Sequence, residues 1–289
     1  MSVMDRESFD AARRFADTSF GRIAFVEQGD GPVAVFCHAA VLNGYQWRDV
    51  LDGCASVRRV IAVDHMGHGH TRAQPDARVD FAGHAQMLAE LLDGLGVDRV
   101  DLVGNDSGGA IAQTFAAHHP QRVRSLALAD CDARDSSPPT SLLPLLEIAR
   151  RGAIKETWRG LLGNIEFARA TLGALYQDPH TMTEENLDAY LAPVVADEAT
   201  VRTLERFLST LEVDQLAAIE PQLRDLGVPT LIAWGTADTT FDLKLAYWLA
   251  ETIPGARPVV EIDDGKLLWP EERPDRLAEL LVEHWTAAE

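Results

Sequence analysis

Gly104-Asn105-Asp106-Ser107-Gly108-Gly109 is the stretch on which the reading of this chain turns. The apolar run Val100-Asp101-Leu102-Val103 precedes it, and Ala110-Ile111-Ala112-Gln113-Thr114-Phe115-Ala116-Ala117 follows with helical spacing. The pattern predicts a strand, a sharp turn and a helix. Small residues on either side of the turn clear room for a strained backbone, and the central side chain then projects at the strand's carboxyl end. Here that side chain is a carboxylate backed by a helix N-terminus, whose N–H groups and dipole favour an anion. A carboxylate so placed can attack carbon and form an ester. The simpler alternative is that Asp106 only caps the helix.

Outward from this turn, short apolar runs alternate with helical patterns. Strands are predicted at Ile23–Val26, Val33–Cys37, Val57–Val63, Val100–Val103, Val123–Ala129, Thr230–Trp234 and Pro258–Ile262. Helices are predicted at Ala82–Leu95, Ala110–His118, Leu243–Thr252 and Arg276–Trp285. Such alternation points to an α/β fold, a mostly parallel sheet with helices on both faces and functional groups at the strands' carboxyl ends. From about Ser136 to Leu226 only helical patterns occur: Leu142–Arg150, Trp158–Leu172, Glu184–Tyr190 and Thr200–Leu211. A block of helices between two strands reads as a lid, with extra helices at an edge as the alternative.

Motifs in fixed order accompany the turn: His38 after a strand, Trp47, Asp64-His65-Met66-Gly67-His68-Gly69, Trp234-Gly235-Thr236-Ala237-Asp238 and Pro270-Glu271-Glu272-Arg273-Pro274. With them, the chain resembles an α/β-hydrolase of the epoxide hydrolase and haloalkane dehalogenase branch. The resemblance implies a core from residues 1–135 and 227–289 and an all-helical lid from 136–226. It implies Asp106 as nucleophile and Asp238 as the triad acid, with Asp132 as a second position for the acid; a plain Asx turn is the other reading of Asp238. The Ser107 N–H would be one oxyanion donor, and the loop His38-Ala39-Ala40 would supply the other. Relatives read His-Gly there, so the methyl of Ala39 is expected to crowd the loop. His38 is expected to order it by hydrogen bonding.

One departure matters most. Relatives carry the triad histidine after the last strand, whereas this chain reads Gly265-Lys266-Leu267-Leu268-Trp269-Pro270. Counting from Gly265 puts Lys266 in the histidine slot; counting back from Pro274 puts Leu267 there. Hydrolysis of an Asp106 ester needs a base with a pKa near neutrality. Neither an aspartate at about 3.9 nor a lysine at about 10.4 meets that need. His65, His68 and His70 offer a substitute base or a weak metal signal, against solvated loop histidines. Ser107 and Ala40 stand where dehalogenases place halide-binding side chains, which disfavours dehalogenation. Tyr176 and Tyr190 read first as packing residues on their helices, with polarisation of an epoxide oxygen as the alternative, and Trp158 reads as lid interior.

Bulk properties bound the partners. The chain has 289 residues, 26 basic and 45 acidic, for a net charge of −19. No basic cluster is present, which argues against nucleic acid and anionic membranes. No apolar run reaches membrane-spanning length, and the charged start has no signal-peptide core. Cys37, Cys54 and Cys131 lack metal-ligand spacing and fit reduced thiols in the cytoplasm. The expected protein is therefore a cytoplasmic monomer or homodimer, acting without cofactor or metal on a small, mostly apolar molecule. Its chemistry is expected to resemble epoxide hydrolases. A non-hydrolytic lyase, isomerase or cyclase using Asp106 as base stays open, as does a catalytically silent binder.

Overall fold

Central strands that are apolar along their whole length need cover on both faces, and that cover is what the helices provide. The computed structural model describes residues 4–211 and 214–287; the first three residues of the charged start lie outside them. The chain opens with α1 (Arg6–Ala11), β1 (Arg13–Thr18), β2 (Gly21–Gln28), β3 (Val33–Cys37), α2 (Arg48–Cys54), β4 (Arg59–Val63), β5 (Arg72–Ala73) and α3 (Phe81–Gly94). Then come β6 (Val100–Asp106), α4 (Ser107–His118) and β7 (Val123–Cys131). Helices alone follow: α5 (Leu143–Arg150), α6 (Ile154–Leu162), α7 (Ile165–Leu172), α8 (Glu184–Val195), α9 (Glu198–Ser209), α10 (Asp214–Ala217) and α11 (Glu220–Arg224). The chain returns through β8 (Thr230–Gly235), α12 (Lys244–Thr252), β9 (Val260–Ile262), α13 (Trp269–Glu272) and α14 (Pro274–Thr286).

The sheet order is β1-β2-β4-β3-β6-β7-β8-β9, with β5 paired to β2. From β4 to β9 every pairing is parallel; β1, β2, β4 and β5 meet antiparallel. The expected α/β class and the inserted helices are what the fold contains. Three differences have local causes. The sequence Arg13-Arg14-Phe15-Ala16-Asp17-Thr18 lacks a strand-like pattern, yet it forms edge strand β1 against β2. The single helix expected over Trp158–Leu172 breaks at Gly163-Asn164, where the Asn164 side chain accepts from Phe167 N–H and caps α7. The strand expected to end at Val103 continues through Asp106, with a register shift against β7 between Asn105 and Asp106. An irregularity of that kind re-aims the side chain at the strand's end.

β6 lies mid-sheet between β3 and β7. Val100, Leu102 and Val103 are at most 1% exposed, and burying each contributes roughly 1.5–3 kcal/mol. Asp101 faces the same interior at the opposite end from Asp106. It accepts from Arg58 Nε at 2.9 Å, Arg124 Nη1 at 2.6 Å and Ser125 Oγ at 2.8 Å. Removing this carboxylate would take a hydrogen-bonded ion-pair partner from both Arg58 and Arg124 at the buried end of the strand. Asp101→Ala is therefore expected to destabilise the fold by about 3–5 kcal/mol in urea unfolding, whereas an exposed aspartate replaced as a control should cost little.

Candidate active site

The turn between β6 and α4 gives Asp106 a backbone φ of 54° and ψ of −131°. That conformation costs a non-glycine residue on the order of 1–3 kcal/mol and persists only where its surroundings impose it. The glycines supply the imposing contacts. A Cβ on Gly108 would lie 2.1 Å from the Cys37 carbonyl oxygen, and one on Gly104 would lie 2.6 Å from that of Gly108. Side chains at either position would push α4 off the sheet.

The loop after β3 closes over Asp106. The Ala40 N–H donates to Asp106 Oδ2 at 2.8 Å. The carbonyl of the same peptide unit, Ala39 O, accepts from His38 Nδ1 at 2.8 Å, while His38 Nε2 accepts from the His65 N–H at 3.0 Å. His38 is thus a neutral imidazole that orders the loop. The crowding expected at Ala39 does not occur, because among the described residues the non-glycine positions with positive φ are Asp106, Asp130, Arg134 and Asp264. Asn105, which the sequence reading did not single out, ties this region together. Its Oδ1 accepts from Gln46 Nε2 at 2.7 Å, and Gln46 Oε1 accepts from the Ala39 N–H at 2.9 Å. Its Nδ2 donates to Ala129 O, Asp130 O and Leu267 O at 3.0–3.2 Å.

Asp106 lies at one end of a cavity of about 320 Å³. Val41, Leu142, Leu145, Ile148, Trp158, Leu161, Leu172, Leu175 and Leu267 make most of its wall. Among the described residues lining it Asp106 is the only ionisable one, and the other polar side-chain groups are serine and threonine hydroxyls and the indole N–H of Trp158. Burial raises the carboxyl's pKa; the Ala40 and Ser107 N–H groups oppose the rise and the charge of Asp238 adds to it, leaving it at about 6.

Of the two candidates for the histidine slot, Leu267 lines the cavity with Asp106 and Lys266 does not. The Leu268 N–H donates to Leu175 O at 3.0 Å, which holds the loop against the inserted helices. Asp238 forms the Asx turn, accepting from Thr240 N–H at 2.7 Å and Phe241 N–H at 3.3 Å. Its carboxyl also meets that of Asp130. Asp130 Oδ1 accepts from the Gly235 N–H at 2.9 Å and Oδ2 from Trp269 Nε1 at 2.5 Å. Burial and the neighbouring charge of Asp238 drive the Asp130 pKa well up. Asp132, the second position considered for the acid, sits behind the elbow, where Ser107 Oγ approaches its Oδ2 at 3.5 Å.

Several expected roles are not met by position. His65, His68 and His70 do not line the cavity. His65 and His68 pack with His38 and His84 beneath the loop, and burial lowers the pKa of all four. Among the described residues no group of three or more His, Cys, Asp or Glu is placed to hold a metal. Tyr176 and Tyr190 turn away from the cavity because Glu271 takes both phenols, at 2.7 and 2.5 Å. Arg48 Nη1 joins the same carboxylate at 2.9 Å. Trp158 is a cavity wall residue.

Residues 32–272 match the α/β-hydrolase fold family. Haloalkane dehalogenase 2 of Mycobacterium tuberculosis is 25% identical over 283 residues, 97% of each chain. A cis-3-alkyl-4-alkyloxetan-2-one decarboxylase of Shewanella oneidensis is 26% identical over 258 residues, 85% of this chain and 79% of its own. Among solved structures, a ligand-free epoxide hydrolase superposes with a TM-score of 0.78 at 20% identity, covering 96% of this chain and 99% of that one.

A carboxyl whose pKa rises from 3.8 to about 6 on folding opposes folding when ionised. Its cost is absent below the unfolded value, grows as pH rises from about 4 to 6, and is constant above. Asp106→Asn keeps an acceptor for Ala40 and removes the charge. It is expected to be more stable than the wild type at pH 7.5, by on the order of 2–3 kcal/mol relative to the difference at pH 4. Equal effects of the substitution at the two pH values, measured by urea unfolding, would contradict the raised pKa.

Proposed function

The chain belongs to the α/β-hydrolase fold family, and on that premise we propose that this enzyme runs non-hydrolytic, cofactor-independent lyase chemistry, with Asp106 as nucleophile on a small, neutral, mostly apolar molecule. Leu267 carries the proposal: an isobutyl group lines the same cavity as Asp106, in the loop where a water-activating histidine would be needed. Asp106 can still open a bond to carbon, since attack requires only an ionised carboxylate. The ester must then leave by a route that needs no activated water.

A strained four-membered lactone satisfies that condition, and the Shewanella relative is named for such a substrate. Asp106 would attack C4 of the ring; the C4–O bond breaks and its electron pair leaves as the substrate's own carboxylate. That carboxylate then loses carbon dioxide, the freed pair forms the carbon–carbon double bond, and the bond from C4 to Asp106 breaks. An alkene and carbon dioxide depart, and Asp106 is restored. No water or proton enters. The departing carboxylate is a weak base, which suits a cavity whose lining holds no tyrosine, histidine or cationic side chain.

Residues 1–135 and 227–289 would form the core that holds Asp106, and residues 136–226 the cap that shapes the cavity. Among the described residues no helix is long and apolar enough to cross a membrane. The proposal keeps a cytoplasmic monomer or homodimer whose partner is its substrate, and the acidic charge argues against nucleic acid. A second reading, Asp106 as general base in an isomerisation, draws support from its pKa of about 6, close to the value at which a base works well near neutrality.

Purified enzyme given a cis-3-alkyl-4-alkyloxetan-2-one in oxygen-18 water is expected to yield alkene with an equal amount of carbon dioxide, followed by gas chromatography and mass spectrometry. Asp106→Asn should abolish the reaction. The rate should fall as pH drops through about 6, because protonation removes the nucleophile. Formation of labelled β-hydroxy acid instead of alkene would overturn the lyase reading.

A further inference from the structure

The sheet ends on β1, whose outer side pairs with no other strand among the described residues. We infer that this edge is where two copies of the chain associate, strand against antiparallel strand about a two-fold axis through Phe15. The two sheets then run on as one. The inference concerns assembly and is independent of the reaction assigned to Asp106.

Which backbone groups of β1 face outward follows from β2. The Ala24 N–H donates to Thr71 Oγ1 at 2.9 Å and the Ala24 carbonyl accepts from the Asp64 N–H at 2.9 Å, so both point away from β1. Backbone groups alternate sides along a strand, which turns those of Ile23 and Phe25 towards β1. Their partners in the register are Ala16 and Arg14, which therefore face β2. Arg13, Phe15 and Asp17 are left presenting N–H and C=O groups to the open edge, a template for a further strand.

Symmetry and charge then select one register. Two copies of the same strand, antiparallel about a two-fold axis, match their edge-facing groups only when the axis passes through one of those three residues. An axis at Arg13 sets guanidinium against guanidinium, and an axis at Asp17 sets carboxylate against carboxylate; like charges directly opposite are destabilising. An axis at Phe15 places the two Phe15 rings side by side and each Arg13 opposite Asp17 of the other copy. Arg14 falls opposite Ala16, so no like charges meet. The side chains suit this arrangement. Phe15 is 42% exposed, with the Arg22 guanidinium 4.4 Å from its ring centroid. Asp17 is exposed and has no hydrogen bond or ion pair among the described residues. Arg13 Nη2 bridges to Asp10 at 2.8 Å, and its remaining N–H groups can serve a second carboxylate. Because α1 ends at Ala11 and the chain turns at Ser19-Phe20, the paired stretch is short and the dimer is expected to dissociate on dilution.

Analytical ultracentrifugation of the full chain from micromolar to near-millimolar concentration is expected to show a monomer–dimer equilibrium. Asp17→Lys and Arg13→Glu each set like charges opposite one another and should be monomeric alone. An equimolar mixture of the two variants restores opposite charges at both ends and should form a heterodimer. Phe15→Cys gives a second, independent reading. Opposed residues of a hydrogen-bonded pair lie about 5.5 Å apart at Cα, inside the span of about 4.4–6.8 Å that a disulfide bridges. Mild oxidation should therefore link this variant to its own copy, and Asp17→Cys far less; Cys37, Cys54 and Cys131 are all buried and do not compete. A wild type that stays monomeric throughout, a dimer unaffected by either charge variant, a mixture that stays monomeric, or no link through Phe15→Cys would each overturn the inference.

Discussion

One buried amide holds the site in shape. Asn105 spends its oxygen on Gln46, which fixes the loop carrying Ala40, and its nitrogen on the carbonyls of Ala129, Asp130 and Leu267. Three loops from distant parts of the chain therefore register on the residue next to the nucleophile. Each hydrogen bond contributes only about 0.5–1.5 kcal/mol net, but an unpaired buried amide group costs about 1–3 kcal/mol. The arrangement is therefore close to all-or-none. Moving any one loop leaves a polar group stranded, so the distance from Ala40 to Asp106 and the approach of Leu267 are set together.

The two aspartates of β6 show how environment assigns roles to one residue type. Asp101, at the amino end, meets two arginines and a serine hydroxyl and serves the fold. Asp106, at the carboxyl end, meets backbone N–H groups, an apolar cavity and the field of other acids. No cation compensates it, and its pKa moves up rather than down. Stability is surrendered at one end of the strand and recovered at the other, a division common where function needs a destabilised group. The Asp130–Asp238 pair extends the pattern: burial raises the pKa of both, and at Asp130 the neighbouring charge of Asp238 adds to the rise.

Much of this is legible in the sequence where the cause is local. The small residues around Asp106 and the strand–helix alternation report the sheet and its turn because sterics and periodicity act over a few residues. The inserted helices are legible for the same reason. β1 is not, since an edge strand of arginines, aspartate and threonine carries no apolar alternation and owes its form to β2. Nor is Asn105, whose partners lie 59 and 162 residues away. Packing and an active role stay open for Tyr176 and Tyr190 until Glu271 is placed between them. Two rival counts leave the histidine slot open between Lys266 and Leu267, and only the path of the loop separates them.

The meeting of Arg48, Tyr176 and Tyr190 on Glu271 bears on how molecules travel in and out. Glu271 and Arg48 belong to the sheet-bearing part, and both tyrosines to the helices above it; the Glu271 side chain is wholly screened from solvent. Swinging those helices aside as one body would strip two phenols from a submerged anion, a loss of several kcal/mol on each opening. The helices over the cavity are therefore tied to the sheet-bearing part, and a guest meets walls of fixed spacing, Leu142, Pro144 and Leu172 among them. Fit to that fixed outline, rather than closure around the guest, then selects what can bind.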